Sequence, residues 1–229
     1  PLHDANDRTA NGYDLTASGG VTVGGATGKL GAATEFDGTD DRLDYTSGAV
    51  TAGTSAITWM GWINPDTVAG VRPLVYQEES GGADYQRMII LISYFRHTDY
   101  DGSTTATVLN LSSDVPTGAW TFTAYERASS TDRRAWFNKN RSTALATDVE
   151  PTNVNTTYVG GTTTAGQNVD GILNHVQMHS TNRDPDWIEY EYDQVNDQAT
   201  FWGTWTNVPA SGGGGISIPV VMHHRRMMG

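Results

Sequence analysis

Three aspartates in quick succession, Asp37, Asp40 and Asp41, with Asp44 close behind, form the densest carboxylate cluster of the chain. They surround the turn Asp37-Gly38-Thr39-Asp40. Carboxylate oxygens are hard ligands of the kind Ca²⁺ selects, so Asp37, Asp40 and Asp41 are the candidate metal set. A solvated β-turn in which Asp37 bonds its own backbone is the alternative, since the spacing is not that of a dedicated calcium loop. No other cofactor is required by the residues present.

Other reactive groups are arranged less tellingly. Glu189-Tyr190-Glu191-Tyr192-Asp193 carries three carboxylates, but it reads as helix, where Glu189 and Asp193 are like charges one turn apart on a wet face. Glu78-Glu79 precedes the loop Ser80-Gly81-Gly82. His175 and His179 would share one face of a strand, about 13 Å apart by strand rise, too far for one metal. His223 and His224 point to opposite faces if extended. There is no cysteine, which removes disulfides, thiolate catalysis and Cys-based zinc sites. No nucleophile elbow, P-loop or metallohydrolase motif is present.

Aromatic side chains offer binding chemistry instead, because Trp and Tyr faces stack on sugar rings. Tyr85, Tyr94, Tyr100, Trp136 and Trp205 are the candidates expected on loops or strand edges. The segments Glu78–Gln86 and Thr98–Thr105 read as loops with a Tyr, Asp, Ser and Gly mixture suited to recognition. Tyr85, Tyr94, Tyr100, Asp84 and Asp99 are therefore the candidate ligand-binding residues.

The elements that must position these residues are mostly strands. The chain has 229 residues, 37% hydrophobic and only 17% charged, with 26 glycines. That is turn-rich, β-compatible chemistry. Strands are expected at Val21–Val23, Thr34–Phe36, Arg42–Tyr45, Ile57–Ile63, Pro73–Gln77, Arg87–Phe95, Ala106–Leu111, Trp120–Arg127, Arg134–Asn138, Thr157–Val159 and Ile172–His179, separated by turn signals. One helix is expected near residues 185–195, with Asp184 as N-cap and Pro185 at its first position. The glycine run Gly212–Gly215 marks a flexible linker. Three segments follow: a domain over 1–208, a linker over 209–215, and an extended arm over 216–229. In the arm, Ile216, Ile218, Val220 and Met222 alternate onto one face, and Arg225 and Arg226 follow. The net charge of −12 argues against nucleic acid as partner. No apolar run is long enough to insert in a membrane.

Seven pieces then line up in the order of a known family. Gly31-Ala32-Ala33-Thr34-Glu35-Phe36-Asp37-Gly38-Thr39-Asp40-Asp41 resembles the "G-x-A-x-x-F-D-G-x-x-D" signature of laminin-G-like domains, part of the concanavalin A-like jelly-roll superfamily. Ile57–Pro65 resembles its "f-t-i-s-x-W-v-k-P" strand, and Gly118–Ala124 its "g-x-W-t-h-v-A". Ala135–Asn138, Tyr158–Gly161, Asp170–Val176 and Trp187–Tyr192 are similar to "l-y-v-N-G", "i-G-g", "f-d-G-x-i-D-E-V" and "W-i-x-x-E-Y". The match covers roughly residues 2–205. Trp62 falls on the family's core tryptophan, which leaves Trp59 unassigned. Two departures stand out: the family's opening strand is missing or supplied elsewhere, and its acidic "D-E" pair is Asn174-His175 here.

The resemblance implies an all-β, antiparallel jelly-roll sandwich with one short helix near its C-terminal end. It also implies a lectin-like recognition module for a glycan or cell-surface polymer, outside the cell or on a virion or cell surface. Retaining glycosidases on this jelly roll carry "E-x-D-x-x-E" on one strand, and this sequence lacks that motif, so no enzyme is expected. A structural or decoration subunit of a virion or surface filament is the alternative, with other protein subunits bound through the arm 216–229. Glycoside hydrolysis is the weaker alternative.

Overall fold

The computed structural model describes residues 5, 12–51, 56–109, 114–198 and 201. The linker 209–215 and the arm with Ile216, Ile218, Val220, Met222, Arg225 and Arg226 lie outside the described residues, as do Trp205 and His223-His224. The chain divides into two compact units, Pro1–Asp184 and Pro185–Gly229.

Among the described residues, the first unit has fourteen strands: β1 Thr16–Ser18, β2 Ala26–Thr27, β3 Ala32–Asp37, β4 Arg42–Tyr45, β5 Ile57–Pro65, β6 Val71–Glu78, β7 Tyr85–Leu91, β8 Tyr94–Tyr100, β9 Thr105–Leu109, β10 Thr121–Ser129, β11 Asp132–Phe137, β12 Asn140–Arg141, β13 Thr156–Val159 and β14 Asp170–His179. They form two seven-stranded antiparallel sheets, in the orders β1-β4-β13-β6-β7-β8-β9 and β12-β11-β10-β5-β14-β3-β2. The expected all-β sandwich is the architecture found. The second unit holds the helix α1, Pro185–Asn196, where the sequence places it.

Alternation along the strands decides what faces the core. Ile57, Trp59 and Ile63 of β5 meet Met88 and Ile90 of β7, Phe95 of β8, and Leu43, Phe36 and Tyr125 in one buried cluster. Trp59 is thus the core tryptophan. Trp62 has the opposite parity and lies on the other face of the second sheet, with the Lys29 ammonium 5.3 Å from its ring and Phe122 5.5 Å away.

Two strand expectations are corrected. Val21–Val23 forms no strand. Arg87–Phe95 is not one strand but parts of β7 and β8, joined by a two-residue turn at Ile92-Ser93. Both turn residues have positive φ, 48° and 73°, the sign pattern of a type I′ hairpin. That turn is usually signalled by Asn-Gly or Asp-Gly; a β-branched residue there gives no local cue and is sterically disfavoured.

Candidate functional site

The hairpin moves the binding candidates onto strands. Tyr85 opens β7 and Tyr100 closes β8, and the two are cross-strand partners. The loops proper are shorter than the sequence implies, spanning residues 79–84 and 101–104. Since Met88, Ile90 and Phe95 point into the core, Tyr85, Arg87, Tyr94, Arg96 and Tyr100 point away from it. They share this outer face of the first sheet with Tyr76 of β6 and Tyr158 of β13, which are paired in register.

The result is a row of four tyrosines, one on each of four neighbouring strands. Ring centroids are 6.2 Å apart for Tyr158–Tyr76, 6.1 Å for Tyr76–Tyr85 and 5.2 Å for Tyr85–Tyr100. Tyr158 and Tyr76 stack within 20° of parallel; the other two pairs are tilted by 46° and 35°. The rings therefore pack against one another along the row. The Arg87 guanidinium lies 4.9 Å from the Tyr85 centroid. Burial, and then the charge and hydrogen bond of Glu78, push the Tyr76 phenol well up. It stays a neutral hydroxyl, a donor as well as an acceptor. Tyr94, 48% exposed, stands on the same face nearer the hairpin turn. Tyr76, Tyr158, Arg87 and Arg96 were not legible as a site, because their grouping depends on sheet order.

Asp84 and Asp99 do not join this face. The Asp84 carboxylate is buried and accepts the Thr152 and Asn153 backbone N–H groups and the Asn153 amide, each at 3.1 Å, which ties the loop after β6 to residues 152–153. Asp99 is expected on a loop, but it sits inside β8, fully buried between the sheets. Its parity explains the correction: it alternates with Thr98 and Tyr100, so it faces inward. There it accepts Arg127 at 3.1 Å, Arg133 at 2.7 Å and the Tyr125 phenol. Both guanidiniums are fully buried. Burial works against the Arg127 charge, yet Asp99 holds that guanidinium above its ordinary range. Trp136, another candidate aromatic, is buried with its indole N–H on Glu126.

The aspartate cluster lies elsewhere in the same unit. Asp37, Asp40 and Asp41 each offer an oxygen, all within 4.8 Å of one another. Asp44 is drawn away to Arg42 at 3.4 Å and the Ser18 hydroxyl at 2.8 Å. Gly38 turns the chain at φ 76°, and a Cβ there would meet Asp170 at 2.7 Å. A cleft of about 450 Å³ adjoins the turn, lined by Glu35, Asp37, Asp41, Asp66 and Asp170 among others. Asp37 accepts the Thr39 N–H at 2.8 Å, and Asp41 accepts the Asp37 N–H at 3.1 Å. Burial, and beyond it the charges of Asp37 and Asp40, raise the Asp41 carboxyl. An all-oxygen set of crowded carboxylates fits Ca²⁺, whose charge would offset that repulsion.

On β14, His175 and His179 do share a face, as expected, although a bulge between Asn174 and Gln177 intervenes. Gln177 bridges them at 2.6 and 3.0 Å. Asn174, in place of the family's acid, accepts the Leu30 N–H at 2.9 Å and donates to the Ala32 carbonyl at 3.0 Å.

No family model matches the sequence, and no curated protein matches it. Solved structures do. Domains LG4-5 of the mouse laminin alpha1 chain align with a TM-score of 0.55 at 14% identity, over 70% of this chain and 45% of that one. Domain 4 of AbnA, an extracellular arabinanase from Geobacillus stearothermophilus, in complex with arabinotriose, aligns at 0.58 and 12%, over 81% and 84%. The botulinum neurotoxin serotype D binding domain aligns at 0.62 and 11%, over 82% and 49%. The fold is a laminin-G-like, concanavalin A-like jelly roll. This jelly roll spans about half the length of the laminin and toxin structures it matches. Among its described residues, no helix is long and apolar enough to cross a membrane.

Proposed function

We propose that this chain is a non-catalytic recognition module whose ligand, a glycan or cell-surface polymer, lies across the outer face of the first sheet. The tyrosine row carries the reading. Four half-buried or buried rings in a line across four strands provide a packed aromatic surface, and Tyr94 adds an exposed ring. Tyrosine supplies contact area at low conformational cost, because few torsions need fixing. Two of the similar structures are a toxin binding domain and an arabinanase domain in complex with arabinotriose. A polysaccharide panel tests this. Tyr85→Ala and Tyr100→Ala should each weaken binding about tenfold or more, with Tm little changed. Binding untouched by both would contradict the reading.

Calcium has a supporting role in this proposal. Asp37, Asp40 and Asp41 would hold it, and it would fasten the turn between β3 and β4. Added Ca²⁺ should raise Tm, chelator should reverse the rise, and Asp41→Asn should abolish it, because an ion bound to the folded state alone stabilises that state. A Tm indifferent to Ca²⁺ leaves a solvated turn.

The acidic cleft gives one specific opening for a hydrolase, since paired carboxylates beside a groove are the apparatus of glycosidases. Turnover of a polysaccharide, lost in Asp37→Asn or Asp170→Asn, would make the chain an enzyme. The role of residues 216–229 as an assembly arm is likewise a proposal. Deleting 211–229 should lower the assembled mass while sparing the melting transition.

A further inference from the structure

We infer that the ligand of the tyrosine face carries acidic groups, carboxylate or sulfate, and that Arg87 and Arg96 receive them. The inference rests on the recognition reading above and names the chemistry of its ligand.

The two arginines are diagonal neighbours on adjacent strands. Arg87 is opposite Thr98, and Arg96 is opposite Ile89, one outward position along. Like charges so placed repel one another. The floor between them is dry: Ile89 is 1% and Thr98 0% exposed. The Nε atoms of both arginines are buried and make no hydrogen bond. Arg96 spends one donor on the Thr107 hydroxyl, at 3.3 Å, and Arg87 only overlies the Tyr85 ring.

Neither closes an ion pair among the described residues, in a chain with 26 acidic and 14 basic residues. Five other arginines of the sandwich are paired, and Arg72 is held by the Ala69 and Asn168 carbonyls. Arg127, Arg133, Arg134, Arg141 and Arg42 each hold a carboxylate within 3.4 Å. The face does contain carboxylates. Glu78, opposite Tyr85, is engaged by the Tyr76 phenol, and Asp44, beyond Tyr158, by Arg42 and Ser18. Two guanidiniums that hold no carboxylate among the described residues, on a partly dry surface, match a carboxylate or sulfate through their terminal N–H groups. The tyrosines on either side supply the neutral part of the contact. A polymer crossing the strands would pass Tyr100, Tyr85 and Tyr76 with its acidic groups turned toward the two arginines.

The test compares polygalacturonate, dextran sulfate and neutral dextran as probes of the whole chain, by calorimetry at low and high salt. The expected result is binding of one or both acidic polymers in preference to dextran, weakened by salt. Arg87→Gln with Arg96→Gln should reduce that affinity about tenfold to a hundredfold, the range for losing charge-assisted hydrogen bonds. Arg87→Lys with Arg96→Lys, which keeps charge without the fork, should recover part of it. Arg134→Gln should change nothing. Melting curves for each variant separate loss of binding from loss of folding. Preference for polygalacturonate identifies carboxylate, and preference for dextran sulfate identifies sulfate. Binding that treats neutral and acidic polymers alike, unaffected by the arginine pair but lost in Tyr85→Ala, overturns this inference and leaves the recognition reading intact. Acidic-polymer binding that ignores both the arginines and the tyrosines overturns both.

Discussion

At the scale of single residues, Asp99 is a group whose removal should be costly. Its carboxylate faces two buried arginines and a buried phenol. Removing it takes from both buried guanidiniums the carboxylate they directly bond, which costs on the order of 3–5 kcal/mol. Asp99→Ala should therefore lower stability by that amount in denaturant melts; a loss below about 1 kcal/mol would mean the triad contributes little. His97, two residues earlier on the same strand, makes the second prediction. It is fully buried, stacked 5.1 Å from Tyr125, and desolvation lowers its pKa to about 3. In the unfolded chain the imidazole titrates near its ordinary 6.5. Between those values the unfolded chain binds a proton that the folded one refuses. Stability is thus full above pH 6.5 and falls as pH drops from 6.5 toward 3, by up to about 1.4 kcal/mol per unit. His97→Phe should flatten that slope, and parallel slopes in the two proteins would contradict the assignment.

At the scale of elements, the hairpin between β7 and β8 both organises the site and conceals it. The apolar run Met88–Ile92 reads as one buried strand, because nothing at Ile92-Ser93 announces a turn. Pairing between the two strands imposes it, and Ile92 is left in the left-handed region, 68% exposed. Asn and Gly adopt that conformation with less strain. Ile92→Asn with Ser93→Gly should stabilise the protein by about 1–2 kcal/mol, since little burial is lost. Destabilisation would mean that Ile92 is packed in solution. The other elements were legible where alternation met a clear boundary: Arg42–Tyr45 and the helix from Pro185 fall where the sequence puts them. Strands of two or three residues, β1, β2 and β12, carry too few side chains to show a period. The aspartate turn was legible because its three residues are close in sequence. The tyrosine row was not, because Tyr76, Tyr85, Tyr100 and Tyr158 meet only through the order β13-β6-β7-β8.

At the scale of the whole molecule, the same logic separates two kinds of polar surface. Acidic groups gather at the cleft beside the turn between β3 and β4, and Arg87 and Arg96, which close no ion pair among the described residues, lie on the outer face of the first sheet. A chain of net charge −12 repels acidic polymers at long range, so association should be slow in low salt, while short-range contacts at Arg87 and Arg96 set the affinity. The central claim is that this face, and not the cleft or the hairpin tip, meets the ligand. Mapping backbone amide chemical shifts during titration with an oligosaccharide of the polymer that binds tests it most directly. The expected result is a contiguous set of shifts along β13, β6, β7 and β8, centred on Tyr76, Tyr85, Arg87, Arg96 and Tyr100. Shifts confined to residues around Asp37, Asp41 and Asp170, with the tyrosine strands silent, would contradict it.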